Sequence, residues 1–90
     1  EGQRADALRL CDLATDSILA TPLTGRRDAG LRNLRQALGY CWSVAIAADP
    51  ERGVPLFEKL RTVDDPDVKW IVASNLTKAR LRRAFAVSRG

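Results

Sequence analysis

The sequence contains no histidine and no methionine, and only two of its 90 residues are cysteine. Histidine is the side chain that ordinarily titrates near neutral pH, so its absence excludes histidine-based acid or base catalysis. Two cysteines without histidine also fall short of the four ligands of a structural zinc site. Helix capping explains the one close group of carboxylates, Asp64, Asp65 and Asp67. We therefore predict that the chain is not an enzyme and has no catalytic residue, metal or cofactor.

The two cysteines, Cys11 and Cys41, both lie among apolar residues at helical spacing. A free cysteine in such a position behaves as a small hydrophobic side chain. The sequence shows no disulfide-rich framework of the kind found in small secreted proteins. We therefore favour two core cysteines over a disulfide.

Long apolar stretches are also missing. The longest run, residues 44–48, is far shorter than the roughly 20 residues that span a bilayer. Nothing at the start of the sequence resembles a signal peptide. We therefore expect a cytoplasmic protein with no membrane partner and no evident small-molecule substrate.

The residues that are present favour an all-α fold. Alanine, leucine and arginine dominate, and no Asn-Gly or Asp-Gly hairpin signal occurs. Apolar residues recur at three- and four-residue steps over residues 3–20, which predicts a first helix. A second helix is expected over residues 26–48, and its second half is apolar on almost every side, which is typical of the centre of a domain. Gly39 lies where the character of this helix changes, and we favour a close crossing by a neighbouring helix there over a bend.

Two Asp-Pro steps, at residues 49–50 and 65–66, divide the second half of the chain. Aspartate accepts hydrogen bonds from the free N–H groups of a first helical turn, and proline fits the first helical position. The residue before a proline also leaves the α region, so each step ends the preceding helix. The helices predicted in this half span residues 50–62 and 66–79, and residues 80–88 either continue the last helix or form a short terminal one.

Asn75 is the one polar residue on the inner face of the fourth predicted helix, between Ile71 and Leu76. A buried amide must find hydrogen-bond partners. We expect the backbone of a neighbouring loop to supply them.

Three consecutive motifs in this half resemble one HEAT repeat, a helical hairpin of the α-solenoid class. They are Val-Pro-Leu-Phe-Glu-Lys-Leu at 54–60, Asp-Asp-Pro-Asp-Val-Lys at 64–69 and Ile-Val-Ala-Ser-Asn-Leu at 71–76. In that family an aspartate at the corner between the two helices and a basic residue just inside the second helix form a ladder between adjacent repeats. Asp64 or Asp65 matches the first position and Lys69 the second, although the family's basic residue is usually arginine.

The resemblance implies an all-α fold, an α-α superhelix, in the form of a HEAT-like solenoid fragment of four to five helices. We expect one domain over residues 1–90. Its parts would be a degenerate helix pair, a best-matching repeat and a C-terminal cap, at residues 3–48, 50–79 and 80–90.

HEAT-like and armadillo-like arrays generally bind proteins or nucleic acids along the surface lined by the second helix of each pair. Bacterial DNA-alkylation-repeat proteins resemble the same architecture and hold duplex DNA with basic residues. The resemblance therefore implies a non-enzymatic interaction module, and we favour a protein partner. Binding of a DNA or RNA backbone is the first alternative, and a role as the accessory domain of a larger enzyme is the second.

Positive charge is concentrated at the C-terminal end of the sequence. Residues 1–65 contain nine basic and ten acidic side chains, whereas residues 66–90 contain six basic and one acidic. A solvated final helix accounts for this cluster, and we favour it over a phosphate-contacting patch, which would supply sequence-independent affinity for nucleic acid.

The two tryptophans call for different interpretations. Trp42 lies in the apolar run and is expected in the core. Trp70 falls off the apolar stripe of its helix, so a binding contact and packing against a neighbouring helix both remain open. The residues that we predict to contact a protein or nucleic-acid partner are Lys69, Trp70, Lys78, Arg82 and Arg83.

Overall fold

The described residues form five α-helices, which confirms the all-α prediction. The computed structural model describes residues 2–89, and the side chains of residues 7–87. A short 3-10 turn at Leu23–Gly25 joins the first two helices. The helices are α1 (Gly2–Ala20), α2 (Ala29–Ala48), α3 (Pro50–Leu60), α4 (Pro66–Leu76) and α5 (Ala79–Arg89).

Three helix boundaries differ from the sequence-based expectation by two residues or more. Helix α2 begins at Ala29 instead of residue 26, because Asp28 caps it by accepting a hydrogen bond from the Leu31 N–H at 3.2 Å. Residues 26–28 therefore belong to the connection. Helix α3 ends at Leu60 instead of residue 62, and α4 ends at Leu76 instead of residue 79. Helix α5 is a separate helix, one of the two alternatives that the sequence left open.

The two Asp-Pro steps both start helices, but their aspartates act differently. Asp65 caps α4 by accepting hydrogen bonds from the amides of Asp67 and Val68. Asp49 occupies the same position before α3, yet its side chain makes no capping hydrogen bond. The capping role expected from the sequence thus holds at Asp65 and not at Asp49.

Helix α2 is the centre of the structure and packs against each of the other four helices. Its second half is buried as expected, and Trp42 is almost completely enclosed. The indole of Trp42 donates a hydrogen bond to Thr15 Oγ1 at 3.0 Å and packs edge-on against Phe57. Trp42 is therefore a core residue, as predicted.

Two glycines mark places where helices approach α2 closely. A Cβ atom on Gly39 would lie 2.9 Å from the Trp70 ring and 3.0 Å from Ser74 Oγ, so α4 crosses α2 there, as expected. A Cβ atom on Gly53 would lie 2.9 Å from the Cα of Ile46, where α3 crosses α2. Side chains larger than hydrogen do not fit at either crossing without a shift of the neighbouring atoms.

Asn75 is fully buried, but its partners are not the loop backbone that the sequence suggested. Its side-chain oxygen accepts from the Ser43 N–H at 2.9 Å, and its amide nitrogen donates to the carbonyls of Leu38 and Ile71 at 2.8 and 2.7 Å. Leu38 and Ser43 lie in the middle of α2. Because Gly39 lets α4 come close, the amide reaches the backbone of a helix instead of a loop.

Both cysteines are free thiols within the described part of the chain, and Cys11 is buried. Burial, with smaller contributions from Cys41 and Asp12, raises the pKa of the Cys11 thiol to about 11. The expected position of Cys11 in the core is confirmed.

We expect the Cys11 thiol to resist modification in the folded protein. Because its pKa is about 11, its reactive thiolate is scarce at pH 8, and burial blocks access as well. Thiol titration with a disulfide reagent at pH 8 should show one slow site in native protein and two rapid sites in urea. Rapid native modification of Cys11, identified by mass spectrometry, would contradict its placement.

No helix among the described residues is long and apolar enough to cross a membrane.

Candidate functional site

The most distinctive surface feature is a pocket where the end of α1, the α1–α2 connection, the start of α2 and the start of α4 meet. Its volume is about 370 Å³, and four of its seven lining side chains are arginines. We call it the arginine pocket. It is lined by Ile18, Arg26, Arg27, Leu31, Arg32, Arg35 and Asp67.

Arg26 lines the pocket with a side chain that is held in place by its neighbours. Its Nε donates to the carbonyl of Thr21 at 2.7 Å, which orients the side chain from within its own loop. Its Nη1 lies 2.8 Å from Asp65 Oδ2 and 3.0 Å from Asp67 Oδ2, so one nitrogen joins both carboxylates. Hydrogen bonds from Asp67 and Asp65 raise the pKa of Arg26 above its ordinary value. These ion pairs join the α1–α2 connection to the start of α4.

Asp65 stays ionised although it is buried. Burial opposes ionisation, but hydrogen bonds from Arg26 and from the amides of Val68 and Asp67 outweigh it and hold the pKa of Asp65 below its ordinary value. The same carboxylate thus caps α4 and holds Arg26 in place.

Arg35 links the pocket to the surface of α4. Its guanidinium carbon lies 4.0 Å from the centre of the Trp70 ring, within the range of a cation–π interaction. Its Nε forms an ion pair with Asp67 Oδ1 at 2.8 Å, without the geometry of a hydrogen bond. This buried donor has no hydrogen-bond acceptor among residues 7–87. Arg35 is thus held between Asp67 and the Trp70 ring.

The other two arginines that line the pocket are Arg27 and Arg32. Both are exposed, and neither forms an ion pair with the side chains of residues 7–87. Two fixed and two free guanidinium groups thus surround an apolar floor made by Ile18 and Leu31.

Trp70 and Lys69, two of the predicted contact residues, both lie on α4. The Trp70 ring packs on Gly39 and under Arg35, and 36% of the residue remains exposed. Trp70 thus packs against a neighbouring helix and also keeps an accessible edge, which leaves both of its sequence-based interpretations standing. It borders the arginine pocket through Arg35.

Lys69 pairs with Asp64 at 2.8 Å, and both side chains are well exposed. Their hydrogen bond lowers the pKa of Asp64 and raises that of Lys69. The two residues are five positions apart, so this pair is local. Asp65 instead pairs with Arg26, which is 39 positions away. Of the three residues predicted to form a ladder, only Asp65 joins distant parts of the chain.

The remaining predicted contact residues lie at or near α5, away from the pocket. Lys78 is half-buried just before α5, and Arg82 and Arg83 are exposed on it. Arg83 lines a shallow groove of about 230 Å³ beside Ala47 of α2. Ala47 is twelve residues beyond Arg35, about 18 Å along the helix. The groove is lined by Ala47, Pro50, Arg80, Arg83, Ala84 and Val87.

Sequence reasoning missed the arginines of the pocket. Residues 26–35 contain four arginines and one aspartate. This local excess of positive charge is not visible when the charges are summed over residues 1–65. A shorter window would have found it. The contribution of Asp67, from the other half of the chain, had no sequence signal.

Comparison with protein-family models, with curated proteins and with solved structures found no significant match for this chain. The resemblance to HEAT repeats therefore rests on the motif residues alone. Among the residues that the structure describes, no group of three or more potential ligands is placed to hold a metal ion.

Replacing Asp65 with asparagine removes the negative charge of this side chain and keeps its shape. Asparagine also caps helices, so α4 should keep its start while Arg26 loses a charged partner. We expect the free energy of unfolding to fall by about 2 kcal/mol at pH 7. Urea denaturation of the two proteins measures this difference.

The same pair of proteins should show a defined pH dependence. The pKa of Asp65 is lowered by folding, so its contribution is present above the unfolded value, near 4, and is lost as pH falls through the lower folded value. The difference between wild type and D65N should therefore be constant from about pH 5 to 7 and shrink below about pH 4. A difference that grows on acidification would contradict the ion pair.

Proposed function

We propose that this protein is a non-enzymatic interaction module that binds a protein partner with an acidic segment on the surface formed by α2 and α4. The proposal rests on one observation. Arg35 lines the arginine pocket and also packs on the Trp70 ring, so the pocket continues into the exposed edge of that tryptophan. We call these residues together the α2–α4 face.

The chemistry of this face is typical of binding hot spots, where tryptophan and arginine are enriched. Arg26 and Arg35 are held by neighbouring groups before any partner arrives. Binding therefore costs less side-chain entropy than it would on flexible arginines. A concave positive surface with an apolar floor suits an acidic peptide segment better than a neutral one.

The HEAT-like solenoid is part of the same proposal. In such an array α2 and α4 would be the second helices of consecutive pairs, and their extensive packing against each other supports this assignment. The partner surface of the family would then coincide with the α2–α4 face. The alternative consistent with the structure is a five-helix domain organised around α2 alone.

A peptide-display selection on the purified protein tests the proposal. We expect enrichment of acidic peptides, and a synthetic copy should lose at least tenfold in affinity for both R32E and W70A. The matched control is R9E, which makes the same charge change on the exposed face of α1. Equal loss in R32E and R9E, or selection of peptides without acidic residues, would contradict the proposal.

Nucleic-acid binding by α5 is the second candidate. It is favoured by three exposed arginines, Arg80, Arg82 and Arg83, on a helix with no acidic residue. Duplex DNA should then bind at low salt, and affinity should fall steeply as salt rises. Absence of binding at low salt, or binding unchanged in the triple alanine variant of these arginines, removes this candidate.

A further inference from the structure

We propose that the arginine pocket receives a phosphate monoester on the protein partner, namely a phosphorylated serine or threonine side chain. This inference rests on the proposed function, since it specifies which group of the partner enters the pocket.

The charge balance of the pocket suits a dianion. Its four arginines carry four positive charges, and Asp65 and Asp67 return two negative ones, both already bound to Arg26 or Arg35. Asp28, which caps α2, adds a third negative charge nearby in sequence, so these residues together keep an excess of positive charge. A phosphate monoester carries nearly two negative charges at pH 7, whereas a carboxylate carries one.

The donors of the pocket also suit phosphate. Arg27 and Arg32 make no ion pair with residues 7–87, so both forked guanidinium groups are available to phosphate oxygens. Arg35 adds positive charge beside them, while its Nε is buried against Asp67. The three acceptor oxygens of a phosphate can bind both forks, whereas a carboxylate has two oxygens.

The apolar floor and the shape argue for a side chain over a nucleic-acid backbone. Ile18 and Leu31 provide carbon surface for the atoms that carry the phosphate. The pocket, of about 370 Å³, is partly open and has room for one group, while a nucleic-acid backbone needs a track of successive cationic contacts. The cationic groove on α5 lies about 18 Å along α2 and is separate from the pocket.

The test compares three versions of one display-selected acidic peptide, with phosphoserine, glutamate or serine at a single acidic position. The substitution is made at each acidic position of the peptide in turn, and affinities are measured by isothermal calorimetry at constant ionic strength. At one of these positions the phosphoserine version should bind at least tenfold more tightly than the glutamate version. In R27Q/R32Q this gain should fall below twofold. The control R9Q should keep it, and equal thermal midpoints of both variants would show that the fold is intact.

The possible failures are distinguishable. If the acidic peptide binds the α2–α4 face but phosphoserine gains nothing over glutamate at any position, the phosphate inference is wrong and the proposed function stands. If no peptide binds that face, both are wrong. If a 5′-phosphorylated oligonucleotide competes at lower concentration than the phosphopeptide and R27Q/R32Q abolishes this, the source of the phosphate is a nucleic acid and the inference is overturned.

Discussion

Replacing Asn75 with aspartate is expected to lower the free energy of unfolding at pH 7 by about 3 kcal/mol or more. The substitution keeps the shape of the side chain and changes only its hydrogen-bonding character. The amide of Asn75 donates to the carbonyls of Leu38 and Ile71, and a carboxylate would place a negative charge against both of them. Because Asn75 is fully buried, water cannot compensate for the lost donors.

Urea denaturation at pH 7 measures the change, with A73D as the control. Ala73 lies on the same helix but is exposed, so this variant adds the same charge without burying it. We expect A73D to cost less than about 1 kcal/mol, mainly from helix propensity. Equal losses in N75D and A73D would show that the amide does not connect α4 to α2.

Replacing Gly53 with alanine is expected to lower the free energy of unfolding by about 3 kcal/mol. Helix propensity alone predicts the opposite sign, a gain of about 1 kcal/mol. The steric cost prevails because the new Cβ atom would lie 2.9 Å from the Cα and Cγ1 of Ile46. Backbone atoms of α2 cannot rotate away as a flexible side-chain end could, so α3 must move.

A double-mutant cycle with I46A tests the reason for this loss. Trimming Ile46 removes one of the close atoms but leaves its Cα, so G53A should cost less in that background without becoming favourable. R52A, on an exposed position of the same helix, should change the stability by no more than about 0.5 kcal/mol. A stabilising G53A would contradict the close crossing of α2 and α3.

Local features of this chain could be predicted from the sequence because their causes are local. Apolar periodicity gave the helices, the Asp65-Pro66 step set the start of α4, and the glycine at position 39 indicated a close crossing. The start of α2 was predicted too early, because the 3-10 turn and the cap at Asp28 hold residues 26–28 outside the helix.

The candidate site could not be predicted in the same way because its parts come from distant segments. The pairing of Arg26 with Asp65 spans 39 positions, and no periodicity or motif relates the two. Trp70 and Lys69 were selected for their place on α4, but the packing of Arg35 on Trp70 depends on how α4 crosses α2. Predicting the pocket needed the helix arrangement first.

We place the binding site of the partner where the arginine pocket meets Trp70. Nuclear magnetic resonance tests this placement most directly, by following the Nε–H signals of Arg35 and Trp70 as the phosphoserine peptide is added. We predict that both signals shift with a single Kd while the Nε–H signals of Arg80 and Arg83 on α5 stay unchanged. Shifts confined to the α5 arginines, with Arg35 and Trp70 unaffected, would contradict the account.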